Sequence, residues 1–359
     1  MLAVVMHAAG DVRVEEVPEP RVEEAGDAVV RVVAAGVCGS DLSVLRGISP
    51  LPRPVRSGHE FVGVVEAVGA GVRTLREGDF VLAPFNTSDG SCPNCRRGVT
   101  VACEKGLLFG EFGADGAGLD GGQAESVRVP LADTTLLGVP QVAGEPVLGG
   151  LLPSLLALTD VMATGHEAAV HAGVSPGADV VIVGDGAVGQ CAVLACRRLG
   201  AGRIVVMSRD PRRRRLALAH GATDVVAGRG AEGVAEVVDL LGGGSGHVIE
   251  AVGSLEAVRQ AVGCALPGGR IGYVGLPWDV TLPLWELFGK NLTLSGGGAN
   301  VRPVAGQLLG DVLAGTLRPG GVFDAVYPLA DAAKAFHAMD ARRCVKPLLF
   351  TASGPGATA

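Results

Sequence analysis

Aromatic side chains are scarce in this chain: two Trp, two Tyr and nine Phe among 359 residues. Proteins that hold single-stranded nucleic acid stack bases on such rings inside a basic groove. Here the formal charge is −7 and no basic stripe runs along the sequence, so nucleic acid is not an expected partner. Long apolar runs are also lacking. The best candidate, Pro146–Thr159, contains Pro153 and glycines, ends at Asp160, and falls short of the roughly 18 residues of a membrane span. The opening Met1-Leu2-Ala3-Val4-Val5-Met6-His7 has neither the basic start nor the cleavage site of a secretory signal. A cytoplasmic protein with no membrane partner is expected.

Eight cysteines are present, and their spacing is uneven. Cys92, Cys95 and Cys103 cluster, whereas Cys38, Cys191, Cys196, Cys264 and Cys344 are scattered. In a reducing compartment that pattern reads as metal ligation plus buried thiols, not a disulfide framework.

The chain is long enough for two domains. From Gly10 to about Val129, short β-type runs alternate with Gly and Pro punctuation: Val12–Val17, Ala28–Ala34, Phe61–Val68, Phe80–Ala83 and Ala124–Val129. This predicts a β-rich, partly barrel-like domain. Near Leu151 the pattern changes. Val180–Val183 is a buried strand, and Ile204–Met207, Asp224–Val226, Val248–Ala251, Arg270–Val274 and Leu292–Leu294 follow. Helical stretches such as Ala187–Leu199, Ala231–Leu241 and Leu255–Ala265 separate them. The fold class is therefore α/β, with a doubly wound parallel sheet in the second domain. A helix near Val304–Ala314 and a last helix and strand ending at Phe350 complete the chain. The expected boundaries are 1–160, 161–295 and 296–359. The small, polar tail Ser353–Ala359 is expected to be disordered.

Two groups of residues carry chemistry. The first is scattered: Cys38-Gly39-Ser40-Asp41, Gly58-His59-Glu60, and Asp160 before Thr164-Gly165. A thiolate, an imidazole and a carboxylate are three protein ligands for zinc and leave a fourth position for water or substrate. Glu60, next to His59, is a further ligand candidate or a support for one. The second group is Gly184-Asp185-Gly186-Ala187-Val188-Gly189, which follows a strand and opens a helix. There the glycines permit a tight turn, and the helix N-terminus favours a pyrophosphate.

Which dinucleotide binds is decided at the end of the next strand, Val205-Val206-Met207-Ser208-Arg209. NAD sites place Asp or Glu there, about 20 residues beyond the glycines, on the ribose 2′-hydroxyl. Ser208 removes the carboxylate that repels a 2′-phosphate, and Arg209 supplies a fork suited to phosphate. Arg213 or Arg214 is a candidate second contact. NADP(H) is expected over NAD(H).

These residues resemble the zinc-containing medium-chain alcohol dehydrogenases over nearly the whole chain. The family's zinc signature is met by Gly58, His59, Glu60, Gly63, Gly69 and Val72. The resemblance implies a GroES-like catalytic domain, a Rossmann domain, catalytic zinc in the cleft between them, and a homodimer or homotetramer assembled near Leu282–Ser295. Many members carry Cys where this chain has Asp160, and an aspartate there is similar to the formaldehyde-dehydrogenase-like branch. The family also carries a lobe of four cysteines around a structural zinc. Here Asp89 takes the first place, ahead of Cys92, Cys95 and Cys103. Many relatives end a proton path with a histidine where this chain has Ser43.

The expected function is hydride transfer between NADP(H) and a small-molecule alcohol, aldehyde or ketone. In this reading the catalytic set is Cys38, His59 and Asp160 at the metal, with Ser40 on the substrate oxygen. Phe61, Phe85, Phe109 and Trp278 are pocket candidates that plain packing explains equally well. Two other readings remain: a zinc-free quinone or enoyl reductase, and a non-catalytic NADPH-binding protein.

Overall fold

Backbone pairing of Val, Ile and Phe runs builds most of this protein, and the pairing sorts it into two units in a computed structural model. One unit comprises Met1–Asp160 and Asn300–Ala359, and the other Val161–Ala299. The structure describes residues 1–112, 118–140 and 150–351; the tail Ser353–Ala359 and the start of the apolar run, 146–149, lie outside them.

In the first unit a seven-stranded sheet runs in the order Leu137–Gly138, Phe80–Ala83, Phe61–Val68, Ala28–Gly36, Lys346–Phe350 and Phe323–Pro328, with Ser126–Val129 also on Ala28–Gly36. All pairs are antiparallel except the last, where Phe323–Pro328 runs parallel to Lys346–Phe350. The pairing of Ala28–Gly36 with Phe61–Val68 shifts register twice, between Val29 and Val30 and between Val32 and Ala34. Such bulges curl a sheet toward closure. Its inner face buries Val30, Val32, Phe61, Val65, Val81, Phe109 and Phe336. Phe61 and Phe109 meet edge to face with centroids 5.1 Å apart, so these two pocket candidates are core. A second sheet pairs Leu2–Ala8 with Asp11–Glu16 and Val55–Arg56. The apolar opening of the chain is therefore a strand, which the sequence pattern had not assigned.

In the second unit six strands lie in the order Asp224–Val226, Arg203–Met207, Asp179–Val183, Ser245–Glu250, Ala265–Tyr273 and Thr293–Gly296. Every pair is parallel. Counting along the chain, this is the doubly wound order 3-2-1-4-5-6, whose switch point lies beside the first strand. The apolar runs Val180–Val183 and Ile204–Met207 are buried on both faces, as helices on either side require. Among the described residues, no helix is long and apolar enough to cross a membrane.

Candidate active site

Cys38 precedes the short helix Gly39–Leu45 with extended backbone angles. Its N–H donates to Asp41 Oδ2 at 2.8 Å, so the helix start and the thiol are fixed together. Gln123 steadies the same carboxylate oxygen, its Nε2 donating at 3.1 Å. His59 follows Gly58, whose φ is +102 and where a Cβ would strike Gln123 Cγ at 2.3 Å. Only glycine fits that turn, and the turn aims His59.

The ligand atoms of Cys38, His59, Glu60 and Asp160 all lie within 4.8 Å of one another. Cys38 Sγ is 3.6 Å and His59 Nε2 3.7 Å from the same oxygen, Asp160 Oδ2. Zinc bonds of about 2.0–2.3 Å place tetrahedral neighbours about 3.3–3.8 Å apart. The spacing fits that ion. Three donors scattered in the sequence, Cys38, His59 and Asp160, are thus brought together.

The electrostatics agree. Burial raises the Cys38 thiol, and the Asp160 and Glu60 carboxylates raise it further. Burial works against protonating His59, yet the Cys38 sulfur and the Asp160 and Asp41 carboxylates outweigh it and lift the imidazole well above its ordinary value. Donors that hold protons this firmly among negative neighbours suit a divalent cation, which displaces those protons on binding.

Glu60 belongs to the same cluster but has a partner of its own. It is fully buried and faces Lys346, also fully buried, with Oε1 2.6 Å from Nζ. Burial lifts its carboxyl to about 7 against the pull of Lys346. The fourth side of the cluster is therefore held by an ion pair. Ser40 Oγ lies 3.4 Å from His59 Nε2, beside the donor cluster. Ser43, one helical turn on, is half-buried, with its hydroxyl donating to Gly39 O at 3.4 Å. The ring of Phe85 meets His59 edge-on at 6.4 Å, whereas Trp278 is 39% exposed on the other unit.

Asp89, Cys92, Cys95 and Cys103 form a second group within 4.8 Å. Cys92 caps the helix Pro93–Arg96 and lies 4.0 Å from Cys103 through their sulfurs. Asp89 Oδ1 accepts from the N–H groups of Cys92 and Ser91 at 2.9 and 2.8 Å. Those two bonds hold its carboxyl well below the usual range. Burial and the neighbouring sulfurs push Cys95 up to about 12.

In the second unit the glycine turn leaves Asp179–Val183 and enters the helix Ala187–Arg198, capped by Gly186 with no side-chain partner. A Cβ on Gly189 would lie 2.0 Å from Gly184 O, so helix and turn pack at glycine distance, whereas a Cβ on Gly186 would meet nothing. That is an open cradle at a helix N-terminus, which fits a pyrophosphate. Ala187 and Val188 form the first turn behind it. Glu250, which the sequence reading did not single out, is buried in the neighbouring strand end and accepts from the N–H groups of Val252 and Gly253 at 2.8 Å. Ser208 is buried and Arg209 exposed. The Arg213 guanidinium is buried, with Nη1 3.2 Å from Asp185 Oδ1.

The family profile described as an alcohol dehydrogenase GroES-like domain matches residues 24–141, and that described as a zinc-binding dehydrogenase matches residues 187–302. Zinc-type alcohol dehydrogenase B of Aspergillus flavus is 34% identical over 98% of this chain and 81% of its own. The chain belongs to the zinc-type alcohol dehydrogenases. Geraniol dehydrogenase of Castellaniella defragrans is 35% identical, over 97% of this chain and 96% of its own. The solved alcohol dehydrogenase TADH of Thermus sp. ATN1 superposes with a TM-score of 0.88 at 34% identity, covering 98% of this chain and 100% of the other. Like its family, this alcohol dehydrogenase is an oxidoreductase of alcohols and aldehydes that uses zinc and a nicotinamide nucleotide. The gathered Cys38, His59 and Asp160 set the chain apart from zinc-free reductases built on the same plan.

Proposed function

We propose that this enzyme moves a hydride between NADP(H) and an apolar alcohol or aldehyde, with catalytic zinc held by Cys38, His59 and Asp160. The observation that carries the reading is the approach of Cys38 Sγ and His59 Nε2 to one oxygen of Asp160 at 3.6 and 3.7 Å. Bound there, zinc supplies Lewis acidity toward the substrate oxygen while the nicotinamide carries the hydride. Lys346 engages only Oε1 of Glu60, so three protein donors serve the metal steadily and Glu60 is a fourth, transient one. Asp41, on the Nδ1 side of His59 at 3.7 Å, orients the ring so that Nε2 faces the cluster. Ser40 Oγ hydrogen-bonds the substrate oxygen, taking the proton when alcohol is oxidised and returning it when carbonyl is reduced. Ser43 then passes that proton to solvent in place of a histidine.

Cofactor preference rests on Ser208, which offers no charge against a 2′-phosphate, and on the exposed Arg209 beside it. Asp89, Cys92, Cys95 and Cys103 hold a second zinc, closed by four protein ligands and structural. A second copy of the chain covers the exposed end of the six-stranded sheet near Leu282–Ser295. Eight free thiols suit a reducing cytoplasm.

The test combines zinc analysis with turnover of NADPH and NADH across alcohols and aldehydes. Two zinc ions per chain and faster turnover with NADPH are expected. Full activity after removal of all zinc would overturn the metal assignment, and preference for NADH the cofactor assignment.

A further inference from the structure

Ser208 does not stand alone at the end of its strand. Its Oγ lies 2.8 Å from Oδ2 of Asp185, the residue between the first two glycines of the phosphate turn. The other oxygen of that carboxylate, Oδ1, lies 3.2 Å from Nη1 of Arg213. Asp185, Ser208 and Arg213 are 8%, 3% and 7% exposed, so they form an internal network and not a set of solvated charges. Gln190 ties the charged pair together through the backbone, its Nε2 donating to Asp185 O at 3.3 Å and Arg213 O at 3.0 Å.

The network returns a carboxylate to the place from which Ser208 removed one. Sites for an unphosphorylated ribose keep an acid at this strand end. Here the acid arrives from the glycine turn, 23 residues earlier in the chain. Bare, such a carboxylate accepts from ribose hydroxyls and repels a phosphate. Arg213 cancels that charge where little water screens it.

We propose that Asp185 and Arg213 are a further specificity-determining pair of the cofactor site, beside Ser208 and Arg209, in which Arg213 acts by neutralising Asp185 and not by touching phosphate. The balance between the two sets how far NADP(H) is distinguished from NAD(H). The inference rests on the NADP(H) reading only for the native direction of preference.

Fluorescence titrations of the zinc-loaded protein with NADPH and with NADH test it, alongside thermal melts. Arg213→Met takes the guanidinium away from Asp185, and NADPH affinity falls about tenfold relative to NADH. Asp185→Asn takes the negative charge away from Arg213, and the ratio moves the other way. The double variant returns near the native ratio. Opposite signs are the decisive feature, because general damage to the turn weakens both nucleotides alike. Equal losses for both cofactors in Arg213→Met, or shifts of the same sign in the two single variants, overturn the proposal. If Arg213→Met fails to fold, an unchanged ratio in Asp185→Asn overturns it. A native preference for NADH would sink the NADP(H) reading, while the opposed shifts still stand or fall by themselves.

Discussion

Glu60 and Lys346 are 286 positions apart in the chain, yet Oε1 and Nζ meet at 2.6 Å with neither side chain exposed. Lys346 also donates to Val37 O at 3.1 Å, next to Cys38. The strand Lys346–Phe350 thereby braces the back of the donor cluster. Deleting one member of a buried pair strands the other charge, a loss of about 3–5 kcal/mol. Lys346→Met is expected to lower folding stability by that amount in urea unfolding at fixed zinc, and Glu60→Gln in the same chain to recover part of it. A single-variant loss below about 1 kcal/mol would mean the carboxylate finds another partner or water.

At the metal itself, Asp160→Ala is expected to reduce zinc from two ions per chain to one. Turnover should fall by more than the about 10–100-fold typical of residues that only support a ligand. Asp160→Cys replaces one anionic donor by another and is expected to keep the second ion. Asp89→Ala should also lose one zinc, but chiefly at the cost of thermal stability, because four ligands leave no open position. Metal analysis beside turnover separates the two sites. Undiminished zinc in Asp160→Ala would remove that residue from the ligand set.

Much of this arrangement is legible in the sequence. Val180–Val183, the glycine turn and the alternating strands and helices to Leu294 read directly, because buried parallel strands carry dense apolar runs. Cys38, His59 and Asp160 were legible through their neighbours, Ser40, Gly58 and Thr164-Gly165. Lys346 was not, although one lysine in the apolar stretch Val345–Phe350 was a signal: a charge there must be paired, but sequence alone does not say with what. Asp185 escaped notice for a similar reason. It sits between two glycines whose role is plain, and its partners Ser208 and Arg213 come from another strand and another helix. Arg213 and Arg214 are equal candidates for a second phosphate contact in the sequence because consecutive arginines at a helix start look alike, and only packing distinguishes the one that turns inward.

Acid sensitivity provides a further test. His220 ends the helix Pro211–His220, and burial pushes its imidazole down to about 4 from an ordinary 6.5. Between those values the unfolded chain binds a proton that the folded one refuses. Stability is therefore lost as pH falls from about 6.5 toward 4, by at most about 1.4 kcal/mol per pH unit from this group, and is insensitive to it above. His220→Gln is expected to flatten the decline of the urea midpoint between pH 7 and 5. Parallel declines in both proteins would assign the acid sensitivity to other groups.

The exposed edge of the six-stranded sheet yields the last expectation. Among the described residues, Thr293–Gly296 pairs on one side only, with Ala265–Tyr273. Just before it, Leu284, Trp285 and Phe288 are 68%, 81% and 76% exposed, and the two rings stack 5.7 Å apart. An unpaired strand beside bare aromatic rings invites self-association, and a second copy presenting the same edge satisfies both at once. Trp285→Glu with Phe288→Glu brings like charges together across such an interface. Sedimentation of the double variant should show a smaller species than the native protein, with zinc content unchanged because the ligands lie in the other unit. Native and variant proteins that both sediment as the 36.1 kDa chain would show that this edge meets no second copy.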